Sequence, residues 1–114
     1  MVICNPPYRQ VSSGRINPDL RKAIARHEIL ASIDDILLAA RSLLRKKGRL
    51  ALIWPSVRLV DILVRLRRFN LEPKKMRINY PTLDSGAKMA LIEASLGGRP
   101  GLNISAPLLG QGNF

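Results

Sequence analysis

An α/β domain with a mainly parallel sheet is the fold class this sequence predicts, and three observations point there. The chain has 114 residues, the length of one domain. Short apolar runs alternate with stretches of helical spacing in the order strand, helix, strand, helix, and two further strands follow. Breaks rich in Pro and Gly separate these segments. Such alternation favours parallel strands joined by right-handed crossovers, with the last two strands added as an antiparallel hairpin. The expected result is half of a doubly wound sheet.

Residues 1–4 are a short apolar run, stopped by Asn5-Pro6-Pro7. Two prolines neither extend a strand ladder nor enter a helix interior, so a fixed turn follows. Residues 9–20 hold Ser12, Ser13, Gly14, Asn17 and Pro18, a loop composition. From Arg21 to Lys47 the spacing is helical: Ile29, Ile33, Ile36, Leu37, Ala40, Leu43 and Leu44 recur every three or four residues and share one face. Asp34 and Asp35 lie in its first half. Arg41, Arg45, Lys46 and Lys47 lie near its end, as the helix dipole prefers, and Gly48 is the expected C′ residue.

Residues 49–54 are short, apolar and bounded by Gly48 and Pro55, which predicts a buried strand. Ser56 is the expected cap of a second helix. Val57, Val60, Leu63 and Leu66 form its apolar stripe, widened by Leu59 and Ile62, and Asn70 ends it. Residues 74–80 alternate Met76, Ile78 and Tyr80 against Lys75, Arg77 and Asn79, which predicts a third strand. Pro81 to Gly86 is a turn, residues 87–95 a fourth strand antiparallel to the third, and residues 102–109 one more extended segment.

Composition narrows the function classes. The chain is 46% hydrophobic and 24% charged, which excludes disorder throughout. One cysteine, Cys4, excludes an internal disulfide framework, and one histidine, His27, excludes a multi-histidine metal site within the chain. No apolar run approaches the ~20 residues of a membrane helix, and the N-terminus lacks signal-peptide features, so a reducing, cytoplasmic setting is expected. Nineteen Lys and Arg against eight Asp and Glu give +11 and a pI near 11.1. That excess points to a polyanionic partner, most often nucleic acid.

One motif carries chemistry. Asn5-Pro6-Pro7-Tyr8 directly follows the first strand, and in open α/β sheets ligands bind at the carboxyl ends of parallel strands. The Asn5 side-chain oxygen and the Pro6 carbonyl can each accept a hydrogen bond from an NH₂ group. Pro7 removes a competing backbone donor and stiffens the turn. Tyr8 offers a ring for a planar group, and such stacking is worth about 1–3 kcal/mol per base in nucleic-acid complexes. A plain strand-ending turn would use Asn and Pro as well.

Asn-Pro-Pro-Tyr after a strand resembles the signature of class I S-adenosylmethionine-dependent amino-methyltransferases. Ala25-Arg26-His27-Glu28, the run Leu43-Leu44-Arg45-Lys46-Lys47-Gly48 and the turn Pro55-Ser56-Val57-Arg58 look like the bacterial tRNA(Val) adenine-37 amino-methyltransferase family. Pro81 to Leu91 and Pro107-Leu108-Leu109 fit its later segments, so the resemblance covers nearly the whole chain. It implies a Rossmann-like doubly wound methyltransferase sheet, of which residues 1–114 are the C-terminal, substrate-side half. It also implies direct methyl transfer to the exocyclic amine of adenine in tRNA, without a metal. Asn5 and the Pro6 carbonyl would hold the amine, Tyr8 would stack on the base, and Asn5 would also contact the cofactor.

The remaining candidates each have a plainer explanation. Arg9, Arg15, Arg21, Lys22 and Arg26 could guide an RNA backbone toward the motif. His27 and Glu28 could form a catalytic pair, but adjacent helical residues do not face each other, and shaping the loop around the motif is the expected role. Cys4 suits inert strand packing better than nucleophilic attack. Trp54 either lines a pocket or fills the core. Arg45-Lys46-Lys47 and Arg65-Arg67-Arg68 are phosphate grips or solvated helix ends in equal measure.

The Gly-rich turn and the ribose-binding acidic residue that the resemblance implies for S-adenosylmethionine do not appear in this sequence. Gly97, Gly98 and Gly101 have no helix pattern behind them and do not replace that turn. The chain is therefore expected to be a methyltransferase fragment with little activity of its own. Its first strand would present an exposed apolar edge, so a homodimer or swapped assembly near Val2-Ile3-Cys4 is expected. Other functions compatible with the sequence are a glutamine amide methyltransferase of release factors, a ribosomal RNA guanine amino-methyltransferase, and a non-catalytic basic RNA-binding module.

Overall fold

The computed structural model describes residues 1–4 and 18–111, with side chains at 1–3 and 31–111. Its elements in chain order are β1 (Val2–Cys4), α1 (Pro18–Leu43), β2 (Arg49–Pro55), a 3₁₀ turn (Ser56–Arg58), α2 (Leu59–Arg68), β3 (Leu71–Tyr80), β4 (Met89–Leu96), β5 (Asn103–Ile104) and β6 (Leu108–Leu109). β1 pairs in parallel with β2. β4 is antiparallel to both β2 and β3 and lies between them, giving the order β1-β2-β4-β3, with β5 and β6 parallel to β3 at its outer side. The expected pairing of the third and fourth strands is borne out, and the extended segment at 102–109 forms two short strands.

The core lies between the sheet and the two helices. Leu50, Leu52, Trp54, Met76, Ala90, Ile92 and Ala94 face Ile33, Leu37, Ala40, Ile62 and Leu66, all buried. Trp54 settles as a core residue with no exposed surface, and its Nε1–H donates to the Arg58 carbonyl at 3.0 Å. Asp34 of α1 pairs with Arg65 of α2 at 3.0 Å, tying the helices together at the surface.

Several local expectations need correction. α1 begins at Pro18, where a proline costs nothing because the first helical N–H groups lack partners, and it ends at Leu43 rather than Lys47. Leu43 is exposed and lies off the buried face. The left-handed residue beyond α1 is Lys47 (φ 64°), not Gly48. Gly48 is there for space, since a Cβ would sit 2.7 Å from the Arg45 carbonyl oxygen. Ser56 caps no helix: its hydroxyl donates to the Ala87 carbonyl at 2.8 Å. Val57 and Val60 are exposed, so the buried stripe of α2 is Leu59, Ile62, Leu63 and Leu66. Asn70, with φ 60°, does terminate α2 as expected. Asn79 departs from the outward alternation. It is 2% exposed, and its Nδ2 donates to the carbonyls of Gly110 (2.8 Å) and Leu108 (3.4 Å), holding β6 in place.

Candidate active site at the carboxyl end of the sheet

Parallel pairing fixes where β1 ends. Val2, Ile3 and Cys4 pair with Leu50, Ala51 and Leu52. β2 continues for three more residues, to Pro55. β1 therefore ends at the carboxyl end of a parallel pair. The wall on that side is knitted by backbone and hydroxyl groups. Ser56 N–H donates to the Lys88 carbonyl at 3.0 Å and Lys88 N–H to the Asn79 carbonyl at 2.8 Å. Thr82 and Ser85 close the 81–88 loop through the Ser85 hydroxyl at 3.1 Å.

Sequence reasoning passed over one cation here. Arg58 is the last residue of the 3₁₀ turn after β2, and its Nη1 is buried without a hydrogen-bond partner among the described residues. The Pro55-Ser56-Val57-Arg58 run is the signal that marked it.

Asn5, Pro6, Pro7, Tyr8, Arg9 and Arg15 lie outside the described residues. Arg21, Lys22, Arg26, His27 and Glu28 lie on the α1 backbone, but their side chains are outside the described set, as is that of Cys4. The two basic clusters part company. Arg65 is committed to Asp34 and Arg67 to Glu72, in a two-pronged contact at 3.0 and 2.7 Å. The Arg67 hydrogen bonds hold the Glu72 carboxyl below its ordinary pKa against the desolvation that would raise it. Lys46 and Lys47 instead face a concavity at the other end of the sheet.

The described glycines form no cradle for S-adenosylmethionine. Gly97, Gly98 and Gly101 lead into β5, not into a helix whose N-terminus could receive a ligand, and Gly97 and Gly98 line that same amino-end concavity. Among the described residues there is no cluster of three or more metal-ligating side chains, and no helix is long and apolar enough to cross a membrane.

No family model matches the chain. Curated proteins do. A tRNA1(Val) (adenine(37)-N6)-methyltransferase of Parabacteroides distasonis is 32% identical over 95 residues, covering 83% of this chain and 39% of that protein. Proteins of the same name from Porphyromonas gingivalis and Shewanella pealeana are 37% and 34% identical, over 54% and 62% of this chain and 24% and 26% of their own lengths. The chain thus spans about two fifths or less of the curated relatives it matches. The crystal structure of a predicted O-methyltransferase from Agrobacterium tumefaciens superposes with a TM-score of 0.65 at 22% identity, over 95% of this chain and 41% of that one. That likeness bears out the fold class: a mixed sheet from a Rossmann-like methyltransferase fold. By sequence kinship and fold together, the chain is a homologue of the tRNA1(Val) (adenine(37)-N6)-methyltransferases, corresponding to a part of their length.

Proposed function

We propose that the gene product carrying this sequence transfers a methyl group from S-adenosylmethionine to the exocyclic amine of an adenine in tRNA, and that this chain supplies the substrate side of the site. The observation that supports the reading is the β1–β2 register: β1 ends at Cys4 at the carboxyl end of a parallel pair, where α/β sheets bind their ligands, and Asn5 follows Cys4 in the sequence. The names of the relatives support the reaction and the substrate class.

The chain's own residues hold and orient the base. An adenine amine is a weak nucleophile because its lone pair is shared with the ring. Two acceptors, the Asn5 side-chain oxygen and the Pro6 carbonyl, draw both N–H bonds to one side and favour a pyramidal nitrogen. They also stabilise the positive charge that develops there. Pro7 keeps the turn rigid, and Tyr8 stacks on a base that has left its own stack, a cost of a few kcal/mol that is lower in a loop. The cofactor would supply an electrophilic methyl, and Asn5 is the residue of this chain that would contact it. Cytoplasm, where tRNA is found, is the setting this reading requires.

Mass spectrometry of nucleosides from tRNA, with and without the gene, tests the reading. Loss of N6-methyladenosine on deletion is expected, and an unchanged level contradicts it. An unchanged level is also what a non-catalytic basic RNA-binding module would give, a second reading favoured by the lack of a cofactor cradle among the described residues. The reading extends to a homodimer or swapped assembly through β1, which among the described residues pairs with β2 alone and presents Ile3 79% exposed.

A further inference from the structure

Two turns meet at the amino end of the sheet, away from the motif. Residues 44–48 lead into β2, and residues 97–102 leave β4. Lys47 N–H donates to the Leu96 carbonyl at 3.0 Å, and Leu96 N–H donates to that of Gly48 at 2.9 Å, so the turns are tied backbone to backbone. Gly97, with φ 68°, adds a bond from its N–H to the Asn70 carbonyl at 2.9 Å. Between these turns and the start of β3 lies a concavity of about 730 Å³, lined by Lys46, Lys47, Arg49, Lys74, Lys75 and Arg99.

Glu93 is the one carboxylate among the lining residues, and Arg49 already holds it at 2.8 Å. Lys74 donates to the Arg99 carbonyl at 2.6 Å. Among the described residues, the side chains of Lys46, Lys75 and Arg99 have no hydrogen-bonded acceptor. Cations gathered in a concave surface focus the field and attract anions.

We propose that this cleft clamps the sugar–phosphate backbone of RNA, as a second foothold at the end of the sheet opposite the motif. The inference rests on the RNA reading above and adds where the polymer is held. β2 has seven residues, so the two ends are roughly 20 Å apart at about 3.3 Å per residue. That is about six base-pair rises of 3.4 Å, so one ligand reaches both ends only if it is a polymer. The rest of the lining is Ala94, Ser95, Gly97, Gly98 and Asn103, with no large apolar side chain to seat an acidic protein's anchor residues. Phosphate contacts need no such anchor.

The test compares two charge-neutralised pairs of the 114-residue chain by fluorescence anisotropy with a labelled tRNA transcript across a salt series. Lys75→Gln with Arg99→Gln removes cleft cations, and Arg41→Gln with Arg68→Gln removes the same charge from the helical side. The cleft pair is expected to bind about tenfold more weakly, with a salt slope shallower by about 1.4 to 1.8, at 0.7–0.9 per phosphate contact. The control pair is expected to change affinity less than about twofold. Lys75→Arg with Arg99→Lys preserves the charge and is expected to bind as the unaltered chain does, which separates lost charge from lost folding.

Equal weakening by both neutralised pairs overturns the clamp and leaves the RNA reading intact. Polyglutamate competing as well as RNA overturns it in favour of an acidic protein partner. Failure of the unaltered chain to bind any RNA overturns it too, while nucleoside analysis in cells judges the methyltransferase reading independently.

Discussion

Cys4 pairs with Leu52 in the parallel register of β1 and β2, three residues short of Pro55, where β2 ends. β1 has three residues and, among the described residues, a single neighbouring strand, which leaves one edge of its backbone without a strand partner there. Ile3, on this edge, is 79% exposed. Ile3→Lys places a charge on the edge without disturbing the core. Stability is expected to change by less than about 0.5 kcal/mol. Sedimentation equilibrium is expected to show the dimeric wild type and a monomeric variant. A variant that remains dimeric, or a wild type that is monomeric, removes the edge as the contact.

The face of α2 gives a sharper contrast. Leu66 has no exposed surface, whereas Val60 is 74% exposed. Leu66→Ala is expected to cost about 2–5 kcal/mol in urea unfolding, because a cavity is left in the buried core to which Leu66 belongs. Val60→Lys is expected to stay within about 0.5 kcal/mol of wild type.

The difference between these two residues marks the limit of what periodicity reveals. Val57, Val60, Leu63 and Leu66 are as well spaced as Leu59, Ile62, Leu63 and Leu66, and only the docking angle of α2 on β2 and β3 selects between them. The strands were legible because apolar alternation and flanking Gly and Pro mark them. Their order was not, since insertion of β4 between β2 and β3 depends on contacts between segments far apart in sequence. The same insertion assembles the amino-end cleft from Lys46, Lys75 and Arg99, which no local pattern connects. At the candidate site, the motif was legible in the sequence because its four residues are contiguous, and the structure adds the parallel register of the strand that precedes it.

Alternation with Ile78 and Tyr80 predicts an outward Asn79. Its amide is instead recruited by β6. Asn79→Ala removes the donor to the Gly110 and Leu108 carbonyls and is expected to cost about 1–3 kcal/mol. Hydrogen exchange is expected to quicken first at Gly110, whose N–H is bonded to the Tyr80 carbonyl. Uniform loss of protection across the sheet contradicts a local tether.

Glu72 and Arg67 predict a pH dependence. The Glu72 carboxyl is held below its ordinary value, chiefly by the Arg67 hydrogen bonds, so the folded state binds that proton less readily than the unfolded chain. The stabilisation is present in full above the unfolded pKa, about 4.3, and fades as the pH falls through the lower folded value. Glu72→Gln is expected to be less stable than wild type at neutral pH, with the gap closing in acid. Urea midpoints at pH 7 and pH 3 check this, and a constant gap contradicts it.

The most direct measurement is the N6-methyladenosine content of tRNA from cells lacking the gene and supplied with either the wild-type gene product or Asn5→Ala. The account predicts restored methylation with wild type and a methylation rate lower by about 100-fold or more with Asn5→Ala, at equal protein levels. Full methylation with Asn5→Ala would contradict it.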